Sequence, residues 1–272
     1  MRHEPRRDHR GILDPARLRR GLRFRRYLPA VPLLGRYVEH YWFVDWTLTE
    51  PFTQRIVPHP AVNVVFQQQD GDDSGSAEVS GVGRRLFSTT LTGTGRVCGV
   101  QFRPGGFRPF WRRSVAELTD RRLPLDSRSS PGPVPPAQQV CAGSDEDRRR
   151  TLDDVLLGWR PVADPLADEA VRLADEIRTD RTVLRVADLA DRHDLSTRRL
   201  QRLFLGYVGV GPKWVIRRYR LQEAIERAGS APPDWAGLAA DLGFSDQAHL
   251  VREFTATTGV SPTAYVRSLA LP

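Results

Sequence analysis

Lysine, methionine and cysteine are nearly missing from this chain, which holds one lysine (Lys213), one methionine and two cysteines in 272 residues. Two cysteines, Cys98 and Cys141, cannot build a disulfide framework in a chain this long, so a reducing cytoplasm is the expected compartment. No Cys/His cluster has the spacing of a zinc site, so no metal is expected. Neither a P-loop nor a G-x-S-x-G elbow is present, and no cofactor is expected. Long apolar runs are also lacking. None approaches the roughly 18 residues of a membrane span, which excludes a membrane from the expected partners. The first residues, "MRHEPRRDHR", lack the apolar core of a secretion signal. They are Arg-rich, as a transit peptide is, but Glu4, Asp8 and Asp14 count against one.

What is abundant is arginine, and it is unevenly placed. The net charge is +8. Residues 1–26 hold ten arginines against three acids, and residues 181–272 hold twelve arginines and Lys213 against nine. The stretch between them is slightly acidic. Basic charge at both ends fits a polyanion partner, since Arg displaces condensed counterions from phosphates. It fits equally a chain that uses Arg, in place of Lys, as its solubilising residue.

Residues 1–26 therefore read as a basic arm. From 27 to 125 the pattern is β-rich. Segments 37–48, 55–68, 84–93 and 96–106 concentrate aromatic and β-branched residues between Pro, Gly and Asp clusters. Residues 107–125 read as partly helical, with Ser114 and Glu117 at capping-box spacing. Residues 126–145 are dense in Pro, Ser and Gly and read as a linker. Residues 146–180 read as a helical connector and the first helix of a reader, with Leu166, Ala170, Leu173 and Ile177 on one face. The rest, 181–272, is helical by period. The fold class is thus α+β in two domains: a β-rich N-terminal domain, then an all-α C-terminal domain.

The C-terminal domain repeats itself. "VADLADRHDLSTRRLQRLF" (186–204) and "WAGLAADLGFSDQAHLVREF" (235–254) share one plan, 49 residues apart between Ser196 and Ser245. Each has an apolar stripe, a tight turn and a second amphipathic segment. Gly243 suits a left-handed helix stop, and Ser196 and Ser245 are placed to cap the second helices. Unit one turns outward Thr197, Arg198, Arg199, Gln201 and Arg202. Unit two turns outward Asp246, Gln247, His249 and Arg252. Arg and Gln can pair bidentately with guanine and adenine edges. Between the units, "GPKWVIRRYRLQEAIERAGS" (211–230) predicts a helix from Pro212, with Leu221, Ala224, Ile225 and Ala228 on one face and Gly229 as its stop. From Pro212 to Ala228 it would span about 25 Å, against about 34 Å for a turn of B-DNA. Arg217, Arg218 and Arg220 on this rod fit either acid pairing with Glu223 and Glu226 or phosphate contact.

Residues 166–267 resemble the DNA-binding domain of AraC/XylS-family transcription regulators. The resemblance rests on the two units, on "VGVGPKWVIRRYRLQEA", and on Gly243-Phe244, Asp246-Gln247, Phe254, Gly259, Pro262 and Tyr265. It implies seven helices forming two helix–turn–helix subdomains joined by a linker helix. It places the base-contacting surface on the two rows named above, although Ala248 is small where relatives often carry longer side chains. It implies a bacterial-type, cytoplasmic regulator, with double-stranded DNA and RNA polymerase as partners. A small-molecule effector and a second copy of the chain are further candidates. Residues 27–125 resemble a β-rich domain found ahead of such readers, cued by "RYVEHYWFVDW", "IVPHPAVNVVFQ" and "GVQFRPGG". There His40, Trp42, His59 and Arg103 are candidate pocket residues, each equally readable as structural, and Cys98 reads as a buried apolar residue. Two rivals differ in class. A repair-type methyl acceptor needs a Cys-based site that Cys98 and Cys141 do not offer, and a protein-binding module would lack the steep salt dependence of phosphate contact.

Overall fold

The computed structural model describes residues 11–13, 22–72, 75–126, 129–230 and 234–269. Residues 1–10 and 14–21 of the expected basic arm lie outside that set. Six antiparallel strands form one sheet: β1 (Leu22–Tyr27), β2 (Val38–Ile56), β3 (Asn63–Gln69), β4 (Ser76–Ser80), β5 (Phe87–Phe102) and β6 (Arg122–Pro124). Their order across the sheet is β1-β2-β5-β3-β4-β6.

Two expectations change here. The end of the arm is not loose: residues 22–27 are the edge strand β1, in which Leu22 and Phe24 alternate with Arg23 and Arg25. Arg25 binds both Asp45 and Asp145. Further, 84–93 and 96–106 are not two strands. They merge into β5, which runs beside the long β2, and an irregularity between Leu48 and Phe52 accommodates Pro51.

One face of the sheet carries Tyr41, Phe43, Val64, Phe66, Cys98, Val100 and Phe102, all fully buried. Five helices come before the reader's paired units: α1 (Pro32–Gly35), α2 (Arg108–Trp111), α3 (Ala137–Cys141), α4 (Asp145–Gly158) and α5 (Pro165–Thr179), with a 3-10 turn at Val115–Leu118. Ser114 precedes that turn but makes no side-chain cap.

The stretch 126–145 is not the linker its composition suggests. Ala137, Val140 and Cys141 of α3 are buried against the sheet, as are Leu152, Val155, Leu156 and Trp159 at the end of the next helix. A sheet face this apolar needs a cover, and Val134, between two prolines, and Ala137 and Val140, after them, supply it. The connector therefore splits: α4 belongs to the sheet domain, while Ala170, Leu173, Ala174 and Ile177 of α5 enter the reader's first core. Leu166, expected on that inner face, is exposed.

The reader continues with α6 (Val186–Arg192), α7 (Thr197–Tyr207), α8 (Pro212–Ser230), α9 (Trp235–Asp241), α10 (Gln247–Thr258) and α11 (Pro262–Leu269). Helix α8 runs through Gly229 to Ser230 and so does not stop where the glycine suggested. At 19 residues it is about 28 Å long. Its first half gives Val215, Ile216 and Tyr219 to the core of α5, α6 and α7. Its second half gives Leu221, Ala224, Ile225 and Ala228 to the core of α9, α10 and α11. One helix shared by two cores fixes their separation. No helix among the described residues is long and apolar enough to cross a membrane.

Candidate nucleic-acid interface

Each reader unit is a helix, a tight turn and a second helix, and the turns share a left-handed residue and a backbone hydrogen bond across the 49-residue offset. Asp194 and Gly243 occupy the same place, with φ of 51° and 71°. Asp tolerates this left-handed geometry better than most side chains, and Gly has no Cβ to oppose it. The next amide returns to the first helix in both: Leu195 N donates to Ala190 O at 3.0 Å, and Phe244 N to Ala239 O at 2.9 Å.

The second helices start differently. Ser196 caps α7, accepting from Arg199 N at 3.2 Å. In unit two the cap is Asp246, one residue later than the expected Ser245, and it accepts from His249 N at 2.6 Å. That backbone hydrogen bond, with Arg252 nearby, holds the Asp246 carboxyl below the usual carboxylate range. Ser245 instead bonds His249 Nδ1 through its hydroxyl at 3.1 Å.

The nine residues expected on the reading surface therefore divide. Thr197, Arg198, Gln201, Arg202, Gln247 and Arg252 are exposed, and they form no side-chain hydrogen bond or ion pair among the described residues. Arg199 is tied to both oxygens of Glu169 on α5 at 3.1 and 3.0 Å. His249 is half-buried, edge-on to Phe244 with centroids 5.4 Å apart. Asp246 is spent on its helix. Six side chains are free to meet a ligand and three are engaged by the scaffold.

Two arginines of α8 are not solvated. Arg218 and Arg220 are 5% and 2% exposed. Arg220 donates to the carbonyls of Asp180 and Val183. Arg218 donates to the Arg84 carbonyl of the sheet domain at 2.8 Å. Neither acid pairing alone nor phosphate contact describes them. Arg217, by contrast, pairs with Glu253 at the surface.

The sheet's second face forms a cavity of about 620 Å³. Leu22, Phe24 and Arg26 from β1, His40, Trp42, Val44 and Trp46 from β2, Asn63, Val65 and Gln67 from β3, and Val97 and Gln101 from β5 line it. His40, Trp42 and His59 are where a pocket required them. Arg103 is not: it pairs with Asp175 at 3.0 Å and with Glu39, tying the sheet to α5. Trp46, Asn63 and Gln101 were not singled out in the sequence. The available signal was a pair of tryptophans four apart on one strand, with Gly95 and Gly99 four apart on another. The cavity's rim touches the reader. Pro58 O faces Gln222 Nε2 of α8 at 3.5 Å, and Leu86 packs on the core of α9–α11.

Among the described residues no group of His, Cys, Asp or Glu side chains could hold a metal ion. Both cysteines are buried.

Comparison with known proteins follows the same division. A helix-turn-helix domain family matches residues 189–268. A domain of unknown function (DUF6597) matches residues 25–124. No curated protein matches. Similar solved structures include the C-terminal domain of AraT, a response regulator from Geobacillus stearothermophilus, at 21% identity. That similarity covers 39% of this chain and 86% of AraT's, with a TM-score of 0.35. ToxT from Vibrio cholerae O395 is similar at 12% identity over 92% of this chain and 98% of its own, with a TM-score of 0.45. ToxT from V. cholerae strain SCE256, solved with an unsaturated fatty acid bound, is 14% identical over 90% and 95%, with a TM-score of 0.42. Behind a domain of unknown function over residues 25–124, this chain carries a helix-turn-helix domain over residues 189–268.

Proposed function

We propose that the protein is a cytoplasmic, sequence-specific transcription regulator that lays α7 and α10 in successive major grooves of double-stranded DNA. The observation that carries this reading is the pair of exposed, unpartnered rows, Thr197, Arg198, Gln201 and Arg202 on α7, and Gln247 and Arg252 on α10. They stand on two cores that share α8, whose length of about 28 Å is close to the roughly 34 Å repeat of the duplex. Arg199 and His249 support the rows from behind, and Asp246 sets the start of α10. RNA polymerase, and a second copy of the chain, are the protein partners this role calls for. The reading is of a binding protein and not an enzyme, since a methyl-acceptor cysteine must be reached and both thiols are buried.

A small-molecule effector in the sheet cavity would control it. What supports this is the route from cavity to reader: the rim residues Pro58 and Leu86, and the Arg84 carbonyl beside the rim, all meet α8 or the core it serves. A ligand that moves the rim moves the helix that sets the spacing of the two readers.

Selection of bound sequences from a random DNA pool, followed by footprinting, tests the reading. The expected result is two protected segments about 10 base pairs apart on one side of the duplex, with affinity falling log-linearly with salt. A single short protected segment would reject the two-groove arrangement, and salt-insensitive binding would favour a protein-binding module.

A further inference from the structure

We propose that Cys98 and Cys141 form a reversible disulfide when a hydroperoxide reaches them, and that the bond locks α3 onto the sheet. The inference stands apart from DNA binding and from any ligand of the cavity, which lies on the sheet's other face.

The chain has two cysteines in 272 residues, and the fold brings them together. Cys98 lies in β5 opposite Phe43 of β2 and Phe66 of β3, with its side chain in the core beneath the sheet. Cys141 is the last residue of α3, which covers that face. Cys141 Sγ meets the carbonyl of Phe66, the register partner of Cys98, at 3.5 Å. In return, Cys98 Sγ meets the carbonyl of Val140, the neighbour of Cys141, at 3.8 Å. The two thiols also hydrogen-bond one another. Arg96 Nη1 donates to the Cys141 carbonyl at 3.4 Å, which fixes the end of α3 over the strand. Packing alone gives little reason for sulfur here, since Val100 and Ala137 fill neighbouring sites of the same core and a thiol is a weak donor.

The two sulfurs differ. The hydrogen bond from Cys98 draws the Cys141 thiol below its ordinary value, with help from the charge of Arg148 and against the pull of burial. Donating that bond, together with burial, pushes the Cys98 thiol up. Cys141 is therefore the nucleophile. Its thiolate attacks one oxygen of hydrogen peroxide, the O–O bond breaks, and hydroxide leaves to give a sulfenic acid. The Cys98 sulfur then attacks the Cys141 sulfur; the S–S bond forms, the S–O bond breaks and a second hydroxide leaves. Each hydroxide takes up one of the two thiol protons. The thiols lose two electrons, and the peroxide is reduced to two waters.

Both residues are 0% exposed, so the reaction requires α3 to lift. This helix is five residues long, has no side-chain cap at its start and buries only Ala137, Val140 and Cys141. Opening so small a piece costs far less than unfolding the domain. A hydroperoxide can enter such an opening, whereas DNA offered to a methyl acceptor cannot. Reclosure returns Cys141 to Cys98, which resolves the sulfenic acid. A reducing cytoplasm reopens the bond, as it does other redox-sensing disulfides.

The test treats the reduced full chain with hydrogen peroxide in native buffer, then alkylates it in denaturant for intact-mass and peptide analysis. The expected product is an unalkylated monomer lighter by two hydrogens, with Cys98 and Cys141 in one cross-linked peptide pair, and dithiothreitol reverses it. Amide exchange across α3 should be slower than in the reduced protein, with α9–α11 unchanged. In Cys98→Ser, dimedone should trap a sulfenic acid at Cys141 about tenfold faster than at Cys98 in Cys141→Ser, with melting curves confirming that both variants fold. Oxidation only after urea unfolds the chain, a cross-linked dimer, or sulfinic acid as the main product overturns the disulfide. Unchanged exchange across α3 overturns the lock, and faster trapping in Cys141→Ser overturns the choice of nucleophile. A protein that forms the bond but shifts no DNA loses the regulator reading alone, and one that shifts DNA without forming the bond loses this inference alone.

Discussion

Replacing Arg218 by methionine should leave the protein between unchanged and about 2 kcal/mol more stable, although the side chain is buried and hydrogen-bonded. Arg218 is 5% exposed. Its guanidinium donates to the Arg84 carbonyl at 2.8 Å and lies 4.6 Å from the Trp214 ring, while Nη1 is buried without a partner. Burial brings its pKa down from the ordinary guanidinium range to about 10, with Glu253 opposing only in part. The group remains charged at neutral pH, at a cost of about 3 kcal/mol. The folded pKa lies below the unfolded one, so this cost is present in full below about pH 10 and is relieved as pH rises from there toward the ordinary guanidinium value. Methionine keeps the length and the apolar stem and removes the charge. Against the gain of about 3 kcal/mol stands the Arg84 carbonyl left unpaired, worth about 1–3 kcal/mol. Arg218→Ala has the same electrostatic gain but leaves a void beside Trp214, so it should be less stable than the methionine variant by about 2 kcal/mol. Urea unfolding of the full chain at pH 7 measures both. A methionine variant destabilised by more than about 2 kcal/mol would show that the cation is compensated in the fold, and the reasoning would be wrong. The functional consequence is separate: without this tether, a cavity ligand should no longer change DNA affinity, while ligand binding itself persists.

Arg202→Ala should weaken specific DNA binding by about 1–3 kcal/mol and relax base preference at one position, with the melting curve unchanged; a gel shift with unaltered affinity and preference would remove Arg202 from the reading surface. Asp246→Ala should lower the melting temperature through loss of the α10 cap and leave base preference intact, and a changed preference in sequence selection would return Asp246 to the bases. The same cap should make stability fall as pH drops through the lowered carboxyl value of Asp246 in wild type, a dependence that the alanine variant should lose. Phe254→Ala removes a fully buried ring set against Trp235 and Tyr265, with centroids 6.0 and 5.6 Å away. It should cost about 3–5 kcal/mol and raise hydrogen exchange across α9–α11 ahead of the sheet domain, and wild-type melting would refute the burial argument.

The reader was legible because its determinants are local. A period of 3.6 residues marks the inner faces, and a residue tolerant of positive φ marks each turn, as Asp194 and Gly243 do at one offset. Even the error at Ser245 was local: two residues competent to cap stand side by side, and the choice fell to Asp246, leaving the Ser245 hydroxyl on His249 Nδ1. The sheet domain was legible as β-rich, and His40, Trp42 and His59 of its cavity were named, but the packing of the cavity's floor was not legible. That Trp42 lies on Gly99 and Trp46 on Gly95 depends on the register of β2 against β5, and neither strand states its register alone.

The contacts that join the domains were hidden for another reason. Arg218 donates to the Arg84 carbonyl, Arg108 to that of Gly206 and Thr119 to that of Gly209, and Gln222 reaches that of Pro58. Every acceptor in this set is backbone. A carboxylate partner leaves a letter of opposite charge in the sequence, as Asp175 does for Arg103, but a carbonyl is carried by every residue and leaves none. Such a joint tolerates change at the acceptor position and depends on the donor and on the path of the chain. It follows that substitutions at Arg84 and Pro58 that preserve backbone geometry should leave the junction intact, whereas substitutions at Arg218 and Gln222 should not. Two of the four donors, Arg218 and Gln222, stand on α8, so half of this seam is written in the helix that the two C-terminal cores share.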